Sequence, residues 1–132
     1  MSTHNFDYDY FVIGGGSGGV RSARIAASHG AKVGLAEGRS LGGTCVNVGC
    51  VPKKLFVYAS DYGSSFKDAE GYGWDVGTPK FNWKKLIENK NAEIARLNQI
   101  YGNILEKADV TLYKGFAHFK DANTIVINEE EI

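Results

Sequence analysis

YDYFVIGGGSGGV, Tyr8 to Val20, decides the fold of this 132-residue chain. Tyr8 to Ile13 is β-branched and aromatic and runs straight into glycines, as a buried strand ending in a tight turn does. Gly14, Gly16 and Gly19 satisfy the G-x-G-x-x-G spacing, and VRSARIAASHG after them is alanine-rich and reads as a helix that stops at Gly30. AKVGLAE follows as a second strand, closed by Glu37.

The spacing has a physical reason. The first glycine permits the tight turn, the second lets backbone approach a pyrophosphate, and the third lets helix and strand pack closely. The helix start then offers free N–H groups and the positive end of its dipole to phosphate. Glu37, 18 residues after Gly19, stands where a carboxylate accepts hydrogen bonds from a ribose hydroxyl. These features predict an α/β fold: a Rossmann-like βαβ unit with a parallel sheet that binds a dinucleotide. Which dinucleotide is not specified by the spacing.

Further along, LFVYASDY after Pro52 continues as a helix, and Tyr62 to Lys80, rich in glycine and aspartate, reads as a loop. Asn82 can cap a long helix in which Trp83, Leu86, Lys90, Ile94, Leu97, Tyr101 and Ile104 recur at three- and four-residue steps. VTLYKGFAHF and DANTIVI alternate around a DAN turn, which predicts two or three strands ending in a short C-terminal β hairpin. His118 reads as a surface or strand histidine.

Composition excludes several partners. With 15 basic and 15 acidic side chains the formal charge is zero, so no large field holds nucleic acid or an acidic membrane. No stretch approaches the ~20 apolar residues that span a bilayer. The start lacks a basic segment followed by an apolar run. A cytoplasmic location is expected, with no nucleic-acid or membrane partner.

Cys45 and Cys50, the only two cysteines, lie in GGTCVNVGCVPKK and raise three readings: a packing pair, half a metal site, or a redox pair. Zinc needs about four ligands, and His4, His29 and His118 are not at finger-like spacing from the cysteines, so no metal is expected. In a regular helix the two Cα atoms would stand ~7.5 Å apart along the axis. A disulfide prefers about 4.4 to 6.8 Å. A bridge therefore requires a distorted turn, for which Gly49 offers the backbone freedom. A strained small-loop disulfide is easily reduced, which suits exchange better than stapling.

The order GGGSGG, Glu37, GGTCVNVGCVPKK resembles the start of the flavin disulfide reductases, the flavin-dependent pyridine nucleotide-disulfide oxidoreductases, over nearly the whole chain. The resemblance implies an FAD-binding segment with a redox disulfide, an incomplete domain whose NADPH-binding and dimerisation regions, and the proton-donating histidine of a partner subunit, lie outside these residues. The parent would be a homodimer passing electrons from NADPH to FAD, to the Cys45–Cys50 disulfide, and to glutathione disulfide; the 132 residues alone would be inactive. Trypanothione- and mercuric-type members, a flavin-binding module without turnover, and a flavin-free dithiol exchange protein are the alternatives.

By the same resemblance Gly14, Gly16, Ser17, Gly18, Gly19 and Glu37 hold FAD, with Gly43, Thr44, Cys45, Lys53 and the backbone at Ala117. Cys50 faces the flavin ring and, once reduced, is a thiolate in charge-transfer contact with it, while Cys45 is the interchange thiol that attacks the substrate. Lys53 places positive charge beside the flavin. Ser17, Arg24 and Tyr101 contact substrate, and Arg21 with Arg24 argue for anionic glutathione over polycationic trypanothione. Without the resemblance, Arg24 and Lys53 read as solvated charges and Tyr101 as part of a packing stripe.

Overall fold

The computed structural model describes residues 6–132, so His4 lies outside the described residues. Strand β1 is Tyr10–Ile13, helix α1 Ser17–Ser28 and strand β2 Val33–Glu37. Then come a short helix α2, Gly43–Asn47, a long helix α3, Cys50–Ala69, a 3₁₀ turn at Glu70–Tyr72 and helix α4, Trp83–Lys107. The chain ends in β3 (Thr111–Lys114), β4 (Ala117–Phe119), β5 (Ile125–Ile127) and β6 (Glu130–Glu131).

Strands β1, β2 and β3 form a parallel sheet with β2 in the middle. A central parallel strand is covered on both faces and so carries a continuous apolar run. Val33, Gly34, Leu35 and Ala36 are accordingly all buried. On one face Val12, Val33 and Leu35 meet Val20 and Ala23 of α1, Leu105 of α4, and Val110. At Gly34 a side chain would have to displace the Phe11 and Tyr8 rings that pack over it. Phe11 and Tyr113 rings pack at 5.8 Å, and the Tyr8 and Tyr113 hydroxyls meet at 2.6 Å, joining the start of the chain to β3.

The expected α/β architecture, long helix and C-terminal antiparallel pair are present. Gly30, at φ +89°, ends α1 with its N–H on the Ala27 carbonyl, and the Asn82 side chain caps α4 by accepting from Lys85 N–H at 3.0 Å. Two expectations change. The segment expected to be a loop from Tyr62 to Lys80 is helical through Ala69. Gly63 lowers helix propensity by about 1 kcal/mol relative to alanine, but the Tyr62 and Phe66 rings pack one turn apart at 5.8 Å and carry the helix through it. The C-terminal hairpin gains a third strand, since β6 pairs with β5, and the DAN turn closes with Asn123 N–H on the Asp121 carboxylate at 2.8 Å.

Candidate functional site

Two glycine loops meet beyond the carboxyl ends of β1 and β2. Gly14 adopts φ +105° and donates its N–H to the Ala36 carbonyl at 2.8 Å, which ends β1 in a sharp turn. A Cβ on Gly19 would fall 1.9 Å from the Gly14 carbonyl oxygen, so the third glycine is required where α1 crosses the turn. Gly16 caps α1; the helix has no side-chain cap and no acid in its first turn, which leaves the N–H groups of Ser17, Gly18 and Gly19 for an anion. Ser17 and Gly18 are exposed, and open space surrounds the Cβ positions of Gly14 and Gly18.

Glu37 organises this turn. Its carboxylate accepts the Gly15 N–H at 2.7 Å on one oxygen and the Arg39 N–H at 2.7 Å on the other. Each oxygen keeps a lone pair, so a ribose hydroxyl can still be accepted. Gly15 did not stand out in the sequence because it occupies a free position of the G-x-G-x-x-G spacing. Its burial under Leu41, whose Cδ2 would lie 2.6 Å from a Cβ, depends on a residue 26 positions away.

The second loop is Gly42–Gly43. Gly42 N–H donates to the Gly15 carbonyl at 2.8 Å, and a Cβ on Gly43 would stand 2.9 Å from the Gly16 Cα. The chain then enters α2, presenting exposed Thr44 and half-buried Cys45. The helix stops at Val48 and Gly49 and restarts at Cys50. The backbone doubles back so tightly that a Cβ on Gly49 would meet the Thr44 carbonyl oxygen at 2.9 Å and the Cys45 Cα at 3.3 Å. The backbone between the two cysteines is therefore not a regular helix.

Both cysteines are thiols in this structure, Cys50 exposed and Cys45 half-buried. The Cys50 side chain beside it, with desolvation, pushes the Cys45 thiol above its ordinary value. The backbone at Cys50 and the charge of Lys53 pull in the opposite direction. The Cys45 sulfur thus sits at the amino end of α3, within reach of Cys50 and in the field of exposed Lys53.

The family model for pyridine nucleotide-disulphide oxidoreductases matches residues 8–132. The chain belongs to this family. A glutathione reductase of Burkholderia cepacia is 53% identical over 122 residues, covering 92% of this chain and 27% of that protein. One from Nostoc sp. is 50% identical over 126 residues, covering 96% and 28%. A thioredoxin reductase of Plasmodium falciparum is 48% identical over 135 residues, covering 95% and 25%. The chain therefore spans about a quarter of the length of these relatives.

The oxidoreductase family's FAD fits the residues present: open glycine cradle, uncapped amino end of α1, and an acidic end to β2. Ala117, in β4, is brought to the same end, because Gly115 N–H donates to the Glu37 carbonyl at 3.0 Å and the Phe116 ring lies where a Gly38 side chain would be. Tyr101 packs half-buried against the core from α4, whereas Arg24 is exposed on α1. His118 is an exposed residue of β4. An open pocket of about 890 Å³ between α3 and the amino end of α4 holds neither cysteine and is lined by Phe56, Phe66, Phe81 and Trp83 among others. The glycine loops lie outside it as well. Among the described residues no cluster of three or more His, Cys, Asp or Glu could hold a metal, and no helix is long and apolar enough to cross a membrane. Asn47 and Asn98, which secure the second loop, carried no signal in the sequence because their partners are backbone carbonyls and each other, 51 positions apart.

Proposed function

We propose that this chain is the FAD-binding, redox-disulfide portion of an NADPH-dependent glutathione-disulfide reductase. The observation that carries the reading is the helix break at Gly49, which sets Cys45 against Cys50 directly beyond the loop joined to Gly16. Gly14 to Gly19 and Glu37 would take the adenosine and pyrophosphate, with Gly43, Thr44, Lys53 and the Ala117 backbone along the rest of the cofactor. FAD, when bound and reduced, supplies the two electrons that open the disulfide.

The chain's own steps are thiol exchange. The Cys45 thiolate attacks one sulfur of glutathione disulfide, forming a mixed disulfide and releasing one glutathione thiolate. The Cys50 thiolate then attacks the Cys45 sulfur, displacing the second glutathione and closing the Cys45–Cys50 bridge. Cys50 is the more exposed of the two cysteine residues in the chain by itself; a flavin ring over it would cover it and leave Cys45 to the substrate. Arg24 and Ser17 suit the carboxylates of an anionic tripeptide, and Tyr101 the face of the cleft.

Reconstitution with FAD tests the site: after desalting, the chain should retain flavin and gain a long-wavelength absorbance band with dithiothreitol, and Cys50→Ala should retain flavin but lose the band. A folded chain that releases all flavin would refute the cradle. The relationship to thioredoxin reductase supports a second reading, in which a protein disulfide is the acceptor. NADPH oxidation by the longer protein, with glutathione disulfide and with thioredoxin in parallel, separates the two.

A further inference from the structure

We propose that Asn98, on α4, is a positioning residue for the Cys45–Cys50 pair, acting through Asn47. The proposal rests on reading these cysteines as an exchange pair.

The turn that carries Cys45 cannot hold its own shape. Gly42 and Gly43 take φ +91° and +60°, and α2 has five residues and no side-chain cap at its start. An isolated helix of one turn does not persist in water, since nucleation costs more than one hydrogen bond returns. Its position must be imposed from outside.

Asn98 imposes it. Its Nδ2 donates to the Leu41 carbonyl at 2.7 Å and to Asn47 Oδ1 at 3.0 Å, which uses both of its amide hydrogens. Asn47 Nδ2 in turn donates to the Leu41 carbonyl at 3.1 Å and the Gly43 carbonyl at 2.8 Å. The carbonyls can only accept, so they orient both amides in the one sense that closes the network. Asn47 lies between the cysteines, at the last residue of α2 before the break. Leu41 wedges its side chain against Gly15. The clamp therefore joins rigid α4 to the glycine loop on one side and to the cysteine turn on the other. In this arrangement Asn98 touches neither sulfur but fixes how far α2 stands from the start of α3.

The test uses the 132-residue chain and site-resolved mass spectrometry. Asn98→Leu removes both donors at similar volume and leaves Asn47 Oδ1 without its donor. In the reduced variant, alkylation of Cys45 by iodoacetamide at pH 8 should rise several-fold, because the contact with Cys50 that raises the Cys45 thiol is loosened. In a dithiothreitol redox buffer the fraction bridged should fall several-fold. The increase in alkylation should vanish when Asn98→Leu is placed in a Cys50→Ala background, which a general loosening of the fold would not produce.

Rates and bridged fractions within twofold of wild type in a folded variant would overturn the proposal. So would an increase that persists undiminished without Cys50. If Asn98→Leu does not fold, Asn98→Gln, which keeps the donors on a longer arm, should shift both quantities in the same direction by a smaller factor, and no shift overturns the proposal. A wild-type chain that never forms the bridge would sink the pair reading and this proposal together; a bridging wild type with unshifted variants would sink this proposal alone.

Discussion

Cys45 carries a proton that a free thiol of ordinary acidity would lose at lower pH, and the largest cause is the Cys50 side chain. Removing that side chain with Cys50→Ala lowers the Cys45 value, so at any pH below it a larger fraction is thiolate. The rate of Cys45 alkylation at pH 8 should rise several-fold in Cys50→Ala, and its midpoint should move down in a pH series; an unchanged midpoint would show that the thiols do not interact. Tyr113 offers a second titration. Its hydrogen bond with Tyr8, followed by desolvation, pushes it from 10.0 up to about 12. The folded value is raised, so its contribution to stability is complete below pH ~10 and is lost as pH rises through about 12. Tyr8→Phe removes the bond, and the phenolate absorbance of Tyr113 should then appear at lower pH than in wild type.

Individual elements show what was legible in the sequence. The strand, glycine turn, helix and acidic strand end of the first βαβ unit follow from local patterning, and a Cβ on Gly19 would collide with the Gly14 carbonyl oxygen. Gly19→Ala should abolish FAD retention, measured by flavin fluorescence after desalting, because the first turn and α1 cannot both keep their places. Gly49 was also readable as the freedom a cysteine bridge needs. Gly49→Ala puts a Cβ against the Thr44 carbonyl oxygen at 2.9 Å, a backbone conflict whose expected cost is about 1–3 kcal/mol of stability; chemical denaturation measures it, and bridge formation in a redox buffer should fall with it. The elements that were misread depend on pairings that hydrophobic periodicity and turn composition do not show. The helix through Gly63 is held by packed rings, β6 is two residues that gain a partner only in β5, and Leu105, fully buried, falls outside the stripe that ends at Ile104. Leu105→Ala should cost about 2–5 kcal/mol. Asn98 belongs to the same class, because a helix-surface asparagine carries no periodic signal and its role arises from a loop 57 positions earlier.

At the scale of the whole molecule, among the described residues the parallel sheet pairs β1 on one side only, with Tyr10 42% and Ile13 47% exposed along it. Trp74, Phe81 and Trp83 are each more than half exposed as well. An unpaired strand edge and open apolar surface favour association. Light scattering at micromolar concentration should therefore report a mass above the 14.4 kDa of one chain, and a monodisperse monomer would refute this.

The kink at Gly49 ties the oxidation state of two sulfurs to the integrity of the chain through thermodynamic reciprocity. Folding draws Cys45 and Cys50 together at the break between α2 and α3. Whatever factor that proximity adds to the equilibrium constant for closing the bridge, closing the bridge must return to the equilibrium constant for folding. Because the loop between the cysteines is short, the unfolded chain already brings them near one another, and the chain-entropy share of that factor is small. The remainder reflects the shape of the turn itself. Redox state thus behaves as a ligand of the fold, and the difference in stability between dithiol and bridged chains is a direct measure of how well the folded turn is shaped for the bond.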